Sequence, residues 1–382
     1  MLRPEMRERV ASGTVDQRVG TSGRFDDPSR APAGIRELPR VSVIVPVRNE
    51  ERYIEHCLAQ LLSQDYPGNR LEILVVDSMS EDGTRAIVQS LQKSTGAKES
   101  AGPDGSVPPV IRLLEDPNRQ RASALNQGIL SARGEVIARV DARSMVPRDY
   151  VARCVATLSK TGADNVGGVQ QPIARSPMQE AIGIAMSHPF GIGNAQFRLG
   201  RRSGFVDTVY LGSYRRAVFD KVGLFDDAAP VLSEDSDINQ RIRDSGGRVY
   251  LNTEIRAGYY PRETLGSLGR LYFRYGGARA GNFLKHRRLT SWRQAVPPAF
   301  LVVLVGIGAL ALTGYIPRAV LFAMLGGYLA CDLSVSAYLA WVRRKWHLWP
   351  RLVAVFPCMH FAWALGFFRR LVAWPRQGDY WP

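Results

Sequence analysis

The sequence predicts an α/β fold: a Rossmann-like, mostly parallel sheet followed by C-terminal transmembrane helices. Three observations carry that expectation. Short β-branched runs at 41–46, 73–76 and 136–140 alternate with helical segments, the pattern of βαβ units. Each run delivers a polar or acidic group to a strand end: Asn49 and Glu50 after the first, Asp77 after the second, Asp141 after the third. In open α/β sheets that edge captures nucleotides, and the grouping points to a sugar-nucleotide site. Finally, 295–313, 319–341 and 351–368 are apolar stretches of about membrane-spanning length.

The elements follow in order. A helix over 51–63 rests on Tyr53, Ile54, Cys57, Leu58, Leu61 and Leu62 at helical spacing. Helices over 84–92 and 122–132 flank a strand at 110–114, with a Gly/Ser/Pro surface loop at 94–109. Beyond Asp141 the pattern becomes mixed. Strands are expected at 167–170, 205–211 and 249–251, a short helix at 217–222, and a helix at 235–245 that bears an acidic cluster. Leu265, Leu268, Tyr272 and Tyr275 share one helical stripe. Their helix lies either on a bilayer surface or against the sheet. The organisation expected is a disordered tail at 1–39, a catalytic domain at 40–260, an interfacial basic segment at 261–294, and a membrane domain at 295–382 with two to three spans.

Charge narrows the partners. Fifty Lys and Arg face 35 Asp and Glu, a formal net charge of +15, which calls for an anionic partner. The basic residues gather in the first 40 positions and beside the apolar spans, with no nucleic-acid recognition motif, so membrane lipid is favoured over nucleic acid. Lys285, His286, Arg287, Arg288 and Arg293 precede the first span, and Arg343, Arg344 and Lys345 follow the second. By the positive-inside rule both clusters are cytoplasmic, giving a multi-pass protein of the inner or plasma membrane with a cytoplasmic catalytic domain. Arg369 and Arg370 pull the third span the other way, so it spans or re-enters. No apolar leader marks the N-terminus, so no cleavable signal is expected. Four scattered cysteines, Cys57, Cys154, Cys331 and Cys358, offer neither a zinc pattern nor a disulfide framework.

Six motifs in order, PVRNE at 46–50, VVDSMSEDGT at 75–84, RASALNQGI at 121–129, VDARS at 140–144, GSYRRAVFDKVGLFDD at 212–227 and SEDSDINQRI at 233–242, resemble family 2 glycosyltransferases of the GT-A fold. The spans and RYGGARA at 274–280 resemble the succinoglycan-type, exopolysaccharide-assembling branch. The resemblance implies inverting transfer of one sugar from a UDP- or GDP-sugar to a hydroxyl of a polyprenyl-diphosphate-linked glycan in cell-surface or exopolysaccharide biosynthesis.

It also implies roles for individual residues. Asp235, beside Glu234 at a helix start, becomes the catalytic base; the helix dipole suits a carboxylate there, and Glu234 and Asp237 raise its pKa. Asp141 opens the Asp-x-Asp motif that holds Mg²⁺ or Mn²⁺ on the diphosphate. Arg143 replaces the second acid and is suited to phosphate itself. Asp77 matches the acid that reads the nucleobase. Pro46, Asn49 and Glu50 match the first nucleotide loop, and Arg121 and Asn126 the approach to the sugar diphosphate. GSYRR matches the loop below the acceptor pocket, with Arg215 and Arg216 facing a lipid diphosphate. Asp332 and His360, ionisable groups inside predicted spans, either pair with each other or sit near the acceptor's head group. A processive polysaccharide synthase and a catalytically silent glycan-binding membrane protein are the alternatives.

Overall fold

The structure, a computed structural model, describes residues 37–96, 107–227, 234–287 and 292–372. Nearly all of the expected tail, most of the 94–109 loop, and Arg288 lie outside the described residues.

The first half builds the sheet edge that sequence periodicity foretold. Strand β1 (Val41–Val47) is buried along its whole length because it pairs in parallel with β2 (Leu71–Asp77) on one side and β4 (Val136–Arg139) on the other. A strand covered on both faces needs a continuous apolar run, not alternation. Helix α1 (Ile54–Leu62) and α2 (Thr84–Gly96) lead to β2 and β3 (Val110–Glu115); α3 (Arg121–Ser131) leads to β4. Ile44, Leu74 and Val76 pack with Leu125 and Ile129 of α3 on one face. Val43, Val45 and Ile73 pack with Leu58 and Leu61 of α1 on the other. In the parallel register Val47 stands beside Asp77, so the ends of β1, β2 and β4 open on the same side.

Beyond β4 the sheet becomes mixed. Short β5 (Ser144–Met145), helix α4 (Tyr150–Thr161) and β6 (Asn165–Pro172) precede helix α5 (Pro177–Ala185) and the two-residue β7 (Gly204–Phe205). Strand β8 (Tyr210–Arg215) inserts antiparallel between β4 and β6. After helices α6 (Ala217–Val222) and α7 (Glu234–Asp244), the long β9 (Val249–Tyr259) pairs with β6, β5 and β7. The described strands are ordered β3-β2-β1-β4-β8-β6-β9-β5, with β7 on β9.

The strand expected over 205–211 is therefore two short pieces, and GSYRR lies mostly in β8 instead of forming an acceptor loop. Arg215 donates to the carbonyls of Ala163 and Leu158, and Arg216 to those of Ala132 and Gly134. Both guanidiniums are spent on tying chain ends to the sheet. They are not cavity residues, which corrects their assignment to a lipid diphosphate.

The C-terminal helices are α8 (Leu265–His286), α9 (Val296–Leu312), α10 (Arg318–Val342) and α11 (Trp349–Val372). The last three belong to helices long and apolar enough to cross a membrane. On α9 and α10 large apolar side chains such as Val302, Val305, Phe322 and Leu329 are exposed, as expected of surfaces that face lipid. The third is the most buried of the three, because α5 and α8 cover it. Ile182 and Ala185 of α5, Leu268 and Tyr272 of α8, and Leu352, Val355 and Met359 of α11 form one core. The apolar stripe of α8 thus packs on a membrane helix, and not on the sheet. Asp332 and His360 do not pair: Asp332 accepts from Ser336 within α10, and His360 bonds Tyr328 and the Phe190 carbonyl.

One close helix crossing explains why RYGGARA carries glycine at position 276. A Cβ on Gly276 would overlap the Trp363 carbonyl, and one on Gly366 would overlap the Phe273 carbonyl. The α8 and α11 backbones touch at this crossing, as small residues permit. At Gly277 the nearest atom to an added Cβ is the Gly366 carbonyl oxygen, at 3.5 Å. Gly276→Val is therefore expected to cost about 1–3 kcal/mol more than Gly277→Val, measured as the difference in thermal unfolding midpoint in detergent. Equal midpoints would contradict the close crossing.

Candidate functional site

A cavity of about 710 Å³ opens where β4 ends and α7 begins, a size typical of small-molecule sites. Its polar wall carries Arg121 at the start of α3, Asp141 and Arg143 just beyond β4, and Glu234, Asp235 and Ser236 in the first turn of α7. Arg262, in the segment leading to α8, and Arg279 of α8 also line it.

Arg139 organises this wall. It is the last residue of β4, in register with Ile44, and only 4% exposed. Its Nε donates to Asp141 Oδ1 at 2.8 Å and its Nη2 to Oδ2 at 3.3 Å, a two-pronged grip. Nη1 donates to Asp235 Oδ1 at 2.7 Å and to Glu234 Oε1 at 3.3 Å. Arg121 approaches the same Glu234 oxygen at 3.6 Å. A planar fork of donors is what a cluster of carboxylates from separate elements requires. Sequence reading passed over Arg139 because it took 136–140 as one apolar run; an arginine within that run was the available signal.

Two guanidiniums here face three carboxylates, so one acid can hold a proton cheaply. That acid is Asp235. Burial pushes its carboxyl up to about 6; Arg139 opposes the rise, and Glu234 and Asp141 add to it. Its side chain keeps 38% exposure, which opens into the cavity. Asp141 behaves in the opposite way: burial raises it, but Arg139 and Arg121 hold it below the ordinary carboxylate range. Asp237 has partners of its own. Its buried carboxylate accepts from Lys285, His286 and Arg241, which ties α7 to α8.

The other expected residues divide into two groups. Glu50 grips Arg143 Nε with both oxygens, at 2.8 and 3.0 Å, and Arg143 lies 5.3 Å from the centre of the Tyr53 ring. Burial raises the Glu50 carboxyl, with Arg143 opposing. Asp77 lies outside the cavity wall, at the end of β2, where it is fully buried and accepts from Ser80 N–H and Arg85. Asn49, in the left-handed region at φ 55, exchanges hydrogen bonds with Ser80 and Glu81 and so ties the β1 and β2 edges together. Pro46 sits within β1 beside Val76. Asn126 spends both ends of its amide on the Phe225 backbone. Sequence reading also missed Asp116, which receives Ser78 and Ser123 hydroxyls and shapes the turn into α3.

A divalent cation fits one part of this wall. Mg²⁺ and Mn²⁺ accept one or two carboxylates together with substrate phosphates, and Asp141 supplies a hard, ionised oxygen pair facing the cavity. Among the described residues no cluster of three His, Cys, Asp or Glu side chains is arranged to hold a metal unaided. Any ion must therefore share its coordination with a ligand.

The chain is similar to known glycosyltransferases. Residues 42–223 match the model of glycosyl transferase family 2. The succinoglycan biosynthesis protein ExoA of Rhizobium meliloti (strain 1021) is 29% identical over 337 residues, covering 88% of this chain and 96% of its own. A Methanococcus voltae transferase, named as a dolichyl N-acetyl-alpha-D-glucosaminyl phosphate 3-beta-D-2,3-diacetamido-2,3-dideoxy-beta-D-glucuronosyltransferase, is 25% identical over 272 residues, or 70% of this chain and 80% of its own. Among solved structures, the mannosyltransferase PcManGT from Pyrobaculum calidifontis, in complex with GDP-Man and Mn²⁺, matches with a TM-score of 0.54. That match has 24% identity and covers 84% of this chain and 87% of the other. The fold is GT-A.

Arg139→Met keeps the side-chain length but strands Asp141, Glu234 and Asp235 without their shared cation. It is expected to lose about 3–5 kcal/mol at neutral pH, and the double variant with Glu234→Gln should recover part of that loss. Chemical denaturation measures both; additive losses would show that the residues do not interact.

Proposed function

We propose that this chain, a member of glycosyltransferase family 2, moves one sugar at a time from a nucleoside-diphosphate sugar to a hydroxyl of a lipid-linked glycan. Its glycosyl transfer serves polysaccharide biosynthesis. The observation that carries the finer reading is the pairing of a protonatable Asp235 with an ionised Asp141 across one arginine, inside one cavity.

In this mechanism Asp235 takes the proton of the acceptor hydroxyl as its oxygen bonds to the anomeric carbon. The bond from that carbon to the diphosphate breaks with inversion. A base with a pKa near the working pH combines the correct charge state with useful driving force. Arg143 and Arg121 face the leaving diphosphate and offset its developing charge. Glu234 acts through Arg139 and Arg121, fixing where both guanidiniums point. Asp141 would hold Mg²⁺ or Mn²⁺ together with the diphosphate oxygens, and the ion would supply Lewis-acid neutralisation of the leaving group. Asp77 at the end of β2, with Pro46, Asn49 and Glu50 of β1 and the loop after it, forms the nucleobase end of the site; the Pyrobaculum enzyme's complex with GDP-Man makes GDP-sugars the first donors to try. Asn126 supports the groove through the Phe225 backbone and does not itself contact phosphate.

The basic clusters flanking the spans support a multi-pass inner-membrane protein with the catalytic face in the cytoplasm. Residues 40–260 then act as the catalytic part, 261–294 as the basic connection and 295–382 as the membrane anchor. Single addition is favoured over processive synthesis, because Arg274-Tyr275-Gly276-Gly277-Ala278-Arg279 stands where processive enzymes carry a different motif, and the spans are few.

Asp235→Asn is expected to lower kcat by roughly 10²–10⁴-fold while donor binding persists. Equal turnover by the variant would overturn the base assignment. For the wild type, log kcat/KM should fall as pH drops through about 6 and level off above it, since the base must be unprotonated. A flat profile there would contradict it. Chelation with EDTA should abolish activity, with Mn²⁺ or Mg²⁺ restoring it; undiminished activity would assign the leaving-group charge to the arginines alone.

A further inference from the structure

The same cavity also has an apolar wing. Its walls come from four separate places: Phe190 in the short helix at 189–192, Phe300 near the start of α9, Tyr328 midway along α10, and Met359 and Trp363 of α11. This wing is built and not incidental. The Phe190 carbonyl accepts from His360 Nε2 at 2.7 Å, and the Tyr328 hydroxyl meets His360 Nδ1 at 2.9 Å. A carbonyl can only accept, so the Nε2 carries hydrogen and Nδ1 receives the Tyr328 hydroxyl. The polar edge of each group is thereby satisfied. Phe300 stacks on Tyr328 with ring centres 5.2 Å apart.

The same cavity is also lined by arginines. Arg279 donates to Ser236, the residue after Asp235. Arg293 pairs with Asp207 at 2.8 Å and bonds Asn194 at 2.6 Å. Arg262 lines the cavity among the like charges of Arg143, Arg274 and Arg121. Like charges gathered in a sheltered space call for an anion. An occupant that uses all of these walls combines a polar reactive group, an anionic group and a hydrocarbon portion.

We infer that the wing between Phe190, Phe300, Tyr328 and Trp363 binds the hydrocarbon chain of a polyprenyl-phosphate-linked acceptor, with its phosphate on Arg262 and Arg279 and its sugar hydroxyl before Asp235. The inference rests on the reading of the chain as a transferase to a lipid-linked glycan, and it assigns the acceptor's tail a site of its own. Carboxylate, guanidinium and aromatic walls within one cavity supply a partner for each kind of group in such a molecule. The lipid-facing apolar sides of α9 and α10 give the remainder of a long chain a continuous path into the bilayer. A free phosphate has no use for the wing, and a bilayer phospholipid has no sugar to present.

The test uses the full chain in nanodiscs and a polyprenyl monophosphate carrying a diazirine partway along its chain. Crosslinks mapped by mass spectrometry should fall on 189–192, 296–300 and 359–363. Unlabelled polyprenyl phosphate should compete, whereas inorganic pyrophosphate and phosphatidylglycerol should not. Arg279→Gln should reduce labelling roughly tenfold through loss of a charge-assisted contact. Phe300→Trp, which fills the wing with little risk to the fold, should reduce it comparably. Leu312→Trp, on a lipid-exposed surface, should leave it unchanged. Crosslinks elsewhere, or competition by phosphatidylglycerol, would overturn the site in favour of general lipid contact. Competition by pyrophosphate alone would reduce it to a phosphate site. Turnover of nucleotide sugars by the same preparation separates the two readings: inactivity toward every donor removes the transferase proposal, whereas misplaced crosslinks on an active enzyme remove only the tail site.

Discussion

A single buried guanidinium holds the working part of this protein together. Arg139 reaches from the end of β4 to Asp141 two residues on, and to Glu234 and Asp235 more than ninety residues away. Burying a cation is costly, and the cost is recovered only when geometry and charge are close to ideal. Here the two-pronged contact to Asp141 and the shared bonds to α7 meet that condition. The same bonds set the chemistry. Three acids with two guanidiniums cannot all ionise with equal ease, so Asp141 stays charged and Asp235 becomes the one that exchanges a proton.

The position of α7 therefore matters as much as its sequence, and a second charge cluster fixes it. Asp237, on the same first turn, is held below the ordinary carboxylate range: burial pushes it up, but Lys285, His286 and Arg241 outweigh that. Lys285 and His286 end α8, whose backbone in turn meets α11 at Gly276 and Gly366. A continuous physical path thus runs from the sheet edge through the first turn of α7 to the apolar C-terminal helices. The cavity lies along that path, and this gives structural meaning to joining a nucleotide-sugar fold to apolar helices.

Much of the first half was legible in the sequence because its signals are local. The apolar runs of β1, β2 and β4 and the acids at their ends need no knowledge of distant contacts, and the crossover helices show helical spacing. What remained hidden depends on partners far apart in the chain. Arg139 reads as an anomaly within an apolar strand until Glu234 and Asp235 are brought to it. Arg215 and Arg216 read as exposed cations, yet their guanidiniums satisfy carbonyls at strand and helix ends. Asn126 matches a sugar-diphosphate motif but is consumed by the Phe225 backbone. The α8 stripe predicted burial correctly without revealing what would cover it, since a lipid surface, a sheet and a membrane helix all satisfy the same apolar pattern.

The proposed chemistry requires Asp235 to be an acid of pKa raised by burial, beside Asp141, whose pKa Arg139 and Arg121 lower. Carbon-13 NMR titration of protein labelled at aspartate carboxyls, with Asp235→Asn used to assign the resonance, reads this without reference to turnover. A midpoint near 6 for Asp235, with Asp141 still ionised well below that pH, is the predicted result. Asp235 titrating near the ordinary 3.8, or together with Asp141, would contradict it.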